Sequence, residues 1–222
     1  RMLGGKTNHW GRISLRMGPD DFRPKDGLTE DWPFTYDELK PYYDKIDRLL
    51  GIYGSVEGIE NEPDGIFMKP PKPRLSELFI KKSAAKVGVP VIPGRGSVMT
   101  EPIAGNSDRK PCYYCGQCGR SCKTYGDFSA SSCLVIPAIK TGNLDVICNA
   151  MVREILTDKN GQATGVSYIN KDDMQEYQVS AKTVVLGASA CESARILLNS
   201  KSASHPNGLA NNSGVVGKYL HD

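Results

Sequence analysis

The chain has 222 residues, of which 39% are hydrophobic and 24% charged, and its formal charge is +3. That length can bury one large core or two small ones, and the composition is that of a globular protein. A charge this small and this evenly spread argues against a nucleic-acid or membrane-surface partner, and no apolar run is long enough to span a bilayer.

Residues 1–34 read as loop and turn, with Gly, Pro and Asp at turn spacing in "MGPDDFRPKDG" and "DWPF". Thr35 with Glu38 makes a capping box, so a helix starts there. Pro41 predicts a break near Lys40 and a second helix with Pro41 in its first position. Leu39, Tyr42, Tyr43, Ile46, Leu49 and Leu50 form its apolar stripe, and Gly51 is the stop. Residues 54–74 are rich in Pro and Gly and predicted irregular, 75–88 form an amphipathic helix, and "VPVIP" is extended. A cysteine-rich loop follows, then a helix over 128–140 interrupted near Pro137.

The period then changes. Residues 144–149 and 151–158 are strand-like, "KNGQA" is a hairpin turn, and "ATGVSYIN" and "QEYQVSA" complete an antiparallel meander. Residues 182–189, "KTVVLGAS", are an apolar run that reads as a buried parallel strand feeding the helix "ACESARILLNS". The fold class expected is α/β, α+β overall. It comprises an incomplete Rossmann-like domain with its meander, plus further helical and irregular segments. The division expected is 1–34 (cofactor-contacting loops), 35–140 (helices and cysteine loop) and 141–222 (meander, strand and helix). The chain begins at Arg1 with a Gly-rich turn and stops at Asp222 without a clear element end, so it reads as an internal fragment. A targeting signal is therefore not legible, and cytoplasm and periplasm are both open.

Three features can carry chemistry. Gly4 and Gly5 in "LGGKTNHW" let backbone approach a bulky anion such as a pyrophosphate, with Asn8, His9 and the flat wall of Trp10 just beyond. The same residues also describe a plain tight turn. The small residues at 187–190, at the carboxyl end of an apolar run, suit a nucleotide crevice; they equally suit an α/β unit without a ligand. Cys112, Cys115, Cys118 and Cys122 give C-x2-C-x2-C-x3-C, the ferredoxin spacing for an iron–sulfur cluster, with Lys123 where proline usually follows. A structural loop of free or paired thiols and a four-thiolate zinc site are the alternatives. Cys133 is either a further ligand or a buried helix residue, and Cys148 and Cys191 read as core thiols.

Five ordered blocks, "GGKTNHWGR", "DWPFTYDELKPYYDKIDRLLGIYG", "TGNLDVICNAMVREIL", "TVVLGASACESARILLNS" and "NNSGVVGKYLHD", resemble the glucose–methanol–choline (GMC) flavin oxidoreductases. The GG-x-x-x-H-W run is most similar to the branch holding pyranose oxidases and bacterial gluconate, fructose and glucose dehydrogenases. The resemblance implies an FAD enzyme that oxidises the CH–OH group of a sugar, polyol or other alcohol. It places Gly4 and Gly5 at the FAD pyrophosphate, Asn8 and His9 beside the isoalloxazine, the Val152 backbone at the adenine, and Ala188 against the cofactor. The histidine matching His9 is flavin-linked in pyranose oxidases and unlinked in some dehydrogenases of the branch. The resemblance puts the catalytic histidine in a segment beyond this chain and the G-x-G-x-x-G turn before it, so the fragment alone is expected to be inactive. His205 reads as a surface residue and His221 as structural. Some dehydrogenases of this branch carry a three-iron cluster in a corresponding loop, which implies onward transfer to a cytochrome or other redox subunit. Without a cluster, oxygen or a soluble quinone is the expected acceptor. The other class of function is an iron–sulfur carrier or zinc module without flavin.

Overall fold

The computed structural model describes residues 2–23, 27, 31–103 and 108–219. The chain falls into two compact units, Arg1–Asp145 and Val146–Asp222. Among the described residues no helix is long and apolar enough to cross a membrane.

Unit 1 contains little regular structure. A 3₁₀ turn occupies Gly5–Asn8 and a four-residue helix, α1, Pro19–Phe22. Helix α2 spans Tyr36–Leu50, capped by Thr35 and ended by Gly51 at φ 73°. Helix α3 spans Leu75–Ala85, and a π turn at Ser131–Val135 runs into α4, Ile136–Lys140. The middle of the unit is the segment 95–99, in which Arg95, Gly96, Ser97 and Met99 are buried. Its neighbours bond to it through isolated backbone bridges. Ser14 N–H donates to the Arg95 carbonyl, Tyr53 N–H to Gly96, Phe128 N–H to Ser97 and Cys112 N–H to Met99. A Cβ on Gly96 would stand 2.9 Å from the Tyr53 ring, so only glycine lets these strands approach.

Such isolated bridges leave many carbonyls to be satisfied by other donors, and buried arginines supply them. Arg95, its side chain 1% exposed, donates to the carbonyls of Glu62 (3.0 Å) and Pro63 (2.7 Å) and to Asp64 (3.1 Å). It thereby fixes the irregular 54–74 loop. Arg109 donates to the carbonyls of Tyr125, Leu49 and Gly126. Arg16 pairs with Asp44 at 2.6 Å and with the buried Asp47, and donates to the Tyr36 hydroxyl at 3.2 Å. Burial works against the charge on Arg16, but the bonds to Asp47, Asp44 and Tyr36 outweigh it and hold its pKa above the ordinary value.

This pairing corrects two expectations for α2. The helix runs unbroken through Pro41. Proline removes one bond, to the carbonyl of Asp37, but Asp37 is in the first turn and exposed, where water can replace the lost donor. The buried face is also different: Tyr36 and Asp47 are buried, while Tyr42, Ile46 and Leu49 are exposed. Docking on Arg16, with Tyr36 and Tyr43 stacked 6.1 Å apart, outweighed the apolar stripe. The interruption expected near Pro137 takes the form of the π turn just upstream, where the Ile136 N–H reaches back to the Ser131 carbonyl.

Unit 2 is a three-stranded antiparallel sheet, β1 (Ala150–Thr157), β2 (Ala163–Asn170) and β3 (Glu176–Ser180), with helix α5 (Ala190–Asn199). The meander is as expected. Its register is interrupted between Val152 and Glu154, a bulge that leaves Arg153 unpaired. Ile155 and Ile196 are buried between β1 and α5, and the Ile155 N–H donates to the Ser200 hydroxyl at 2.8 Å. Two strand expectations fail. Residues 144–149 are irregular, and the sheet begins only at Ala150. Residues 182–188 form no strand, and Val185 is 88% exposed. An apolar run becomes a strand only where a neighbour accepts its ladder, and this run joins no sheet among the described residues. The structure is thus mixed α and β, with no parallel sheet among the described residues.

Removing the Asp47 carboxylate leaves the buried Arg16 with only Asp44 and Tyr36 and leaves the Ile66 N–H without its acceptor, so Asp47→Ala should destabilise unit 1 by about 1.5–3 kcal/mol. Urea unfolding of the wild-type and variant chains measures this, and a loss below about 1 kcal/mol would contradict the role given to the pair.

Candidate functional site

The residues singled out near the amino end do form one structure. Gly4 (φ 86°) and Gly5 (φ 53°) are both left-handed, which starts the 3₁₀ turn. Gly4 faces inward: a Cβ there would stand 2.7 Å from the Asn8 amide oxygen and 3.0 Å from the Ser131 Cβ. Gly5 faces outward, and a Cβ there would meet nothing within 4 Å. The turn is clamped to the start of the π turn. Thr7 donates its hydroxyl to the Gly4 carbonyl at 2.5 Å and accepts the Ala130 N–H at 2.9 Å. Ser131 donates to the Asn8 side-chain oxygen at 2.6 Å, and the Asn8 amide donates to the Leu3 carbonyl at 2.6 Å. Asn8 is therefore held at both ends. His9 follows on the exposed side.

Beyond His9, Trp10 donates its indole N–H to the Phe128 carbonyl at 3.0 Å and packs edge-on to the Phe128 ring. Arg12 then donates to the carbonyls of Trp10 (2.7 Å) and Cys118 (2.6 Å) and to Asp127 (2.6 Å). The glycine turn and the cysteine loop are thus joined by one buried ion pair. Thr7, Arg12, Ser131 and Asp127 carry no motif of their own, and sequence reasoning missed them. The available signal was the run of hydroxyls "SASS" at 129–132, which looks like any polar helix start.

Within that loop the four cysteines do not gather. Among the described residues no group of three or more Cys, His, Asp or Glu side chains could hold a metal ion, and all seven cysteines are free. Tyr114 and Ser121 have positive φ, and a 3₁₀ turn occupies Cys118–Arg120. Cys112 Sγ accepts the Tyr114 N–H at 3.3 Å, Cys122 Sγ lies 3.4 Å from the Thr124 hydroxyl, and Cys115 is exposed. As arranged, these residues form no metal-holding set among the described residues, so the structure does not support the iron–sulfur or zinc reading made from spacing. Cys133 is buried in the π turn. Cys148 and Cys191 are exposed, so they are not core thiols. Cys148 lies ahead of β1, and Cys191 lies on the outer side of α5's first turn.

Val152 and Ala188 belong to unit 2. The Val152 carbonyl accepts Arg195 Nη2 at 2.8 Å, beside the bulge in β1. Ala188 lies half-buried between Gly187, whose α-carbon faces open space, and Ser189, strained at φ 73°. His205 is less exposed than expected: its ring packs on Gly161 of the hairpin, and its N–H donates to Ser202. His221 lies outside the described residues.

Residues 22–222 match the sequence profile of the GMC oxidoreductases, and the chain belongs to that family. It is 36% identical to a 2-methyl-1,2-propanediol dehydrogenase of Mycolicibacterium austroafricanum, over 98% of this chain and 40% of that protein. It is 29% identical to the fructose dehydrogenase large subunit of Gluconobacter japonicus, over 99% of this chain and 40% of that one. With the paromamine 6'-oxidase of Streptomyces fradiae it shares 28% identity, over 98% and 40%. The chain spans about two-fifths of the length of these relatives.

The loop predicts an order of thiol reactivity. Hydrogen bonds from the Gln117 N–H and the Tyr113 hydroxyl lower the Cys115 pKa, whereas burial and Asp127 raise that of Cys118. Limited iodoacetamide labelling at neutral pH, read by peptide mass spectrometry, should mark Cys115 before Cys118 and leave Cys133 unmodified. Equal labelling of Cys115 and Cys118 would contradict this arrangement.

Proposed function

We propose that the chain is part of an FAD-dependent oxidoreductase that oxidises the CH–OH group of a sugar, polyol or related alcohol. The observation that carries this reading is the clamped glycine turn in a chain of the GMC family. Gly4 is committed to packing on Asn8 and Ser131, while Gly5 leaves its outer side open to a ligand. The open backbone at Gly5, with the exposed Lys6 beside it, suits a pyrophosphate. Asn8, fixed at both ends, keeps its side chain at one orientation near the ring system, and His9 lies next to it on the exposed side. In unit 2, Val152 at its bulge and Ala188 beside the open Gly187 suit the adenosine end.

When bound, FAD would take a hydride from the carbinol carbon and release the electrons to an external acceptor. The chain's own residues orient that cofactor and keep its approach rigid. Arg12 and Trp10 tie the turn to residues 118 and 127–128, so the motif cannot swing away from the unit's core. The substrate class follows from relatives named for a diol, a sugar and an amino sugar, all of which present CH–OH groups. A free-standing iron–sulfur carrier or zinc module is not favoured, because no set of converging thiolates exists among the described residues.

The test is an absorption spectrum of the full-length protein, taken anaerobically before and after adding fructose, a vicinal diol and an aminoglycoside in turn. Flavin bands bleached by at least one of these are expected, and a protein purified without flavin would contradict the reading. Gly5→Leu should lower flavin occupancy several-fold while costing only about 1–2 kcal/mol of backbone strain. Full occupancy in that variant would move the pyrophosphate elsewhere.

A further inference from the structure

Unit 1 contains a cavity of about 630 Å³ away from the clamped glycine turn. That is the size of a pocket for a molecule of two or three rings. Its walls are largely apolar and partly open to solvent. Pro70, Pro71, Pro73 and Pro93 supply much of them, and Leu78, Val91, Ile92 and Val98 supply the rest. Proline faces and the rings of Tyr53 and Tyr114 favour a flat aromatic body.

The polar groups are few and mostly of one sign. Lys72, Arg74 and Lys81 line the cavity, against the single acid Glu77. The Glu77 carboxylate is turned to the backbone N–H of Arg74 at 2.7 Å, which occupies it as a helix cap. No ion pair engages Lys72, Arg74 or Lys81 among the described residues. Tyr53 adds one donor, a half-buried hydroxyl whose pKa burial raises. The prolines matter again here. They have no N–H, so the walls cannot cradle a phosphate chain as a glycine-rich loop does. A single anionic group held by lysine side chains is what remains.

We propose that this cavity binds a flat aromatic molecule bearing one carboxylate or sulfonate. The rings lie between Leu78 and the proline wall, the anion faces Lys72 and Lys81, and the Tyr53 hydroxyl donates to a ring oxygen. Every residue lining it lies outside the turn at residues 4–9, and its occupancy is read at equilibrium, without turnover.

The experiment is isothermal titration of anthraquinone-2-sulfonate into the full-length protein and three variants. Saturable one-to-one binding that weakens with added salt is expected for the wild type. Lys72→Glu/Lys81→Glu should weaken it about tenfold or more by replacing attraction with repulsion. Leu78→Trp should weaken it similarly by filling the slot, whereas Lys45→Glu, exposed on α2 and not part of the cavity wall, should leave it within about twofold. Absence of saturable binding to the full-length protein would overturn the proposal and would mean that another part of the chain fills the cavity. Binding that the double variant and Leu78→Trp both leave unchanged would also overturn it, since the probe would then sit elsewhere.

Discussion

In unit 1 the irregular segments are tied together by arginine side chains as well as by isolated backbone bridges. Three guanidinium groups, those of Arg12, Arg95 and Arg109, reach carbonyls on segments that share no secondary structure. Arg16 does the same work on carboxylates, locking α2 to the loop before α1. Each of these charges is costly to bury alone, and each is stable only because its partners are fixed in place. The Nε atoms of Arg12, Arg16 and Arg95 are buried without a partner, a residual cost of that solution. Loss of any one acceptor therefore disturbs several loops together.

The same bracing sets the candidate cofactor turn. Gly4 and Gly5 could form a tight turn in many proteins, but here Thr7, Asn8 and Ser131 bind it to the π turn, and Arg12 binds the residues after it to the cysteine loop. The outcome is a rigid turn with one packed glycine and one open one. A rigid, pre-formed approach is what a large cofactor needs if little binding energy is to be lost in ordering the protein.

Local signals in the sequence proved legible where a single residue or short pattern decides the geometry. The Thr35–Glu38 box, the Gly51 stop, the meander turns and the special backbone at Gly4 are of this kind. Signals that depend on distant partners did not survive. The stripe on α2 was apolar enough to predict its buried face, but the face that docks is chosen by Arg16, twenty residues before Tyr36. The run at 182–188 had strand composition and no ladder to join. The cysteines had ligand spacing, but spacing limits only how far apart the α-carbons can lie and does not set the direction of each thiol. Buried arginines leave no trace in hydrophobic periodicity, because their composition is that of surface residues.

The central claim is that the turn at residues 4–9, braced by residues 129–132, is where the cofactor meets unit 1. Hydrogen–deuterium exchange on the full-length apoprotein, with and without added FAD, tests it most directly. Slowed exchange in peptides covering residues 2–10 and 128–133 is the predicted result. Unchanged exchange in both, with FAD bound and protection found elsewhere in unit 1, would contradict it.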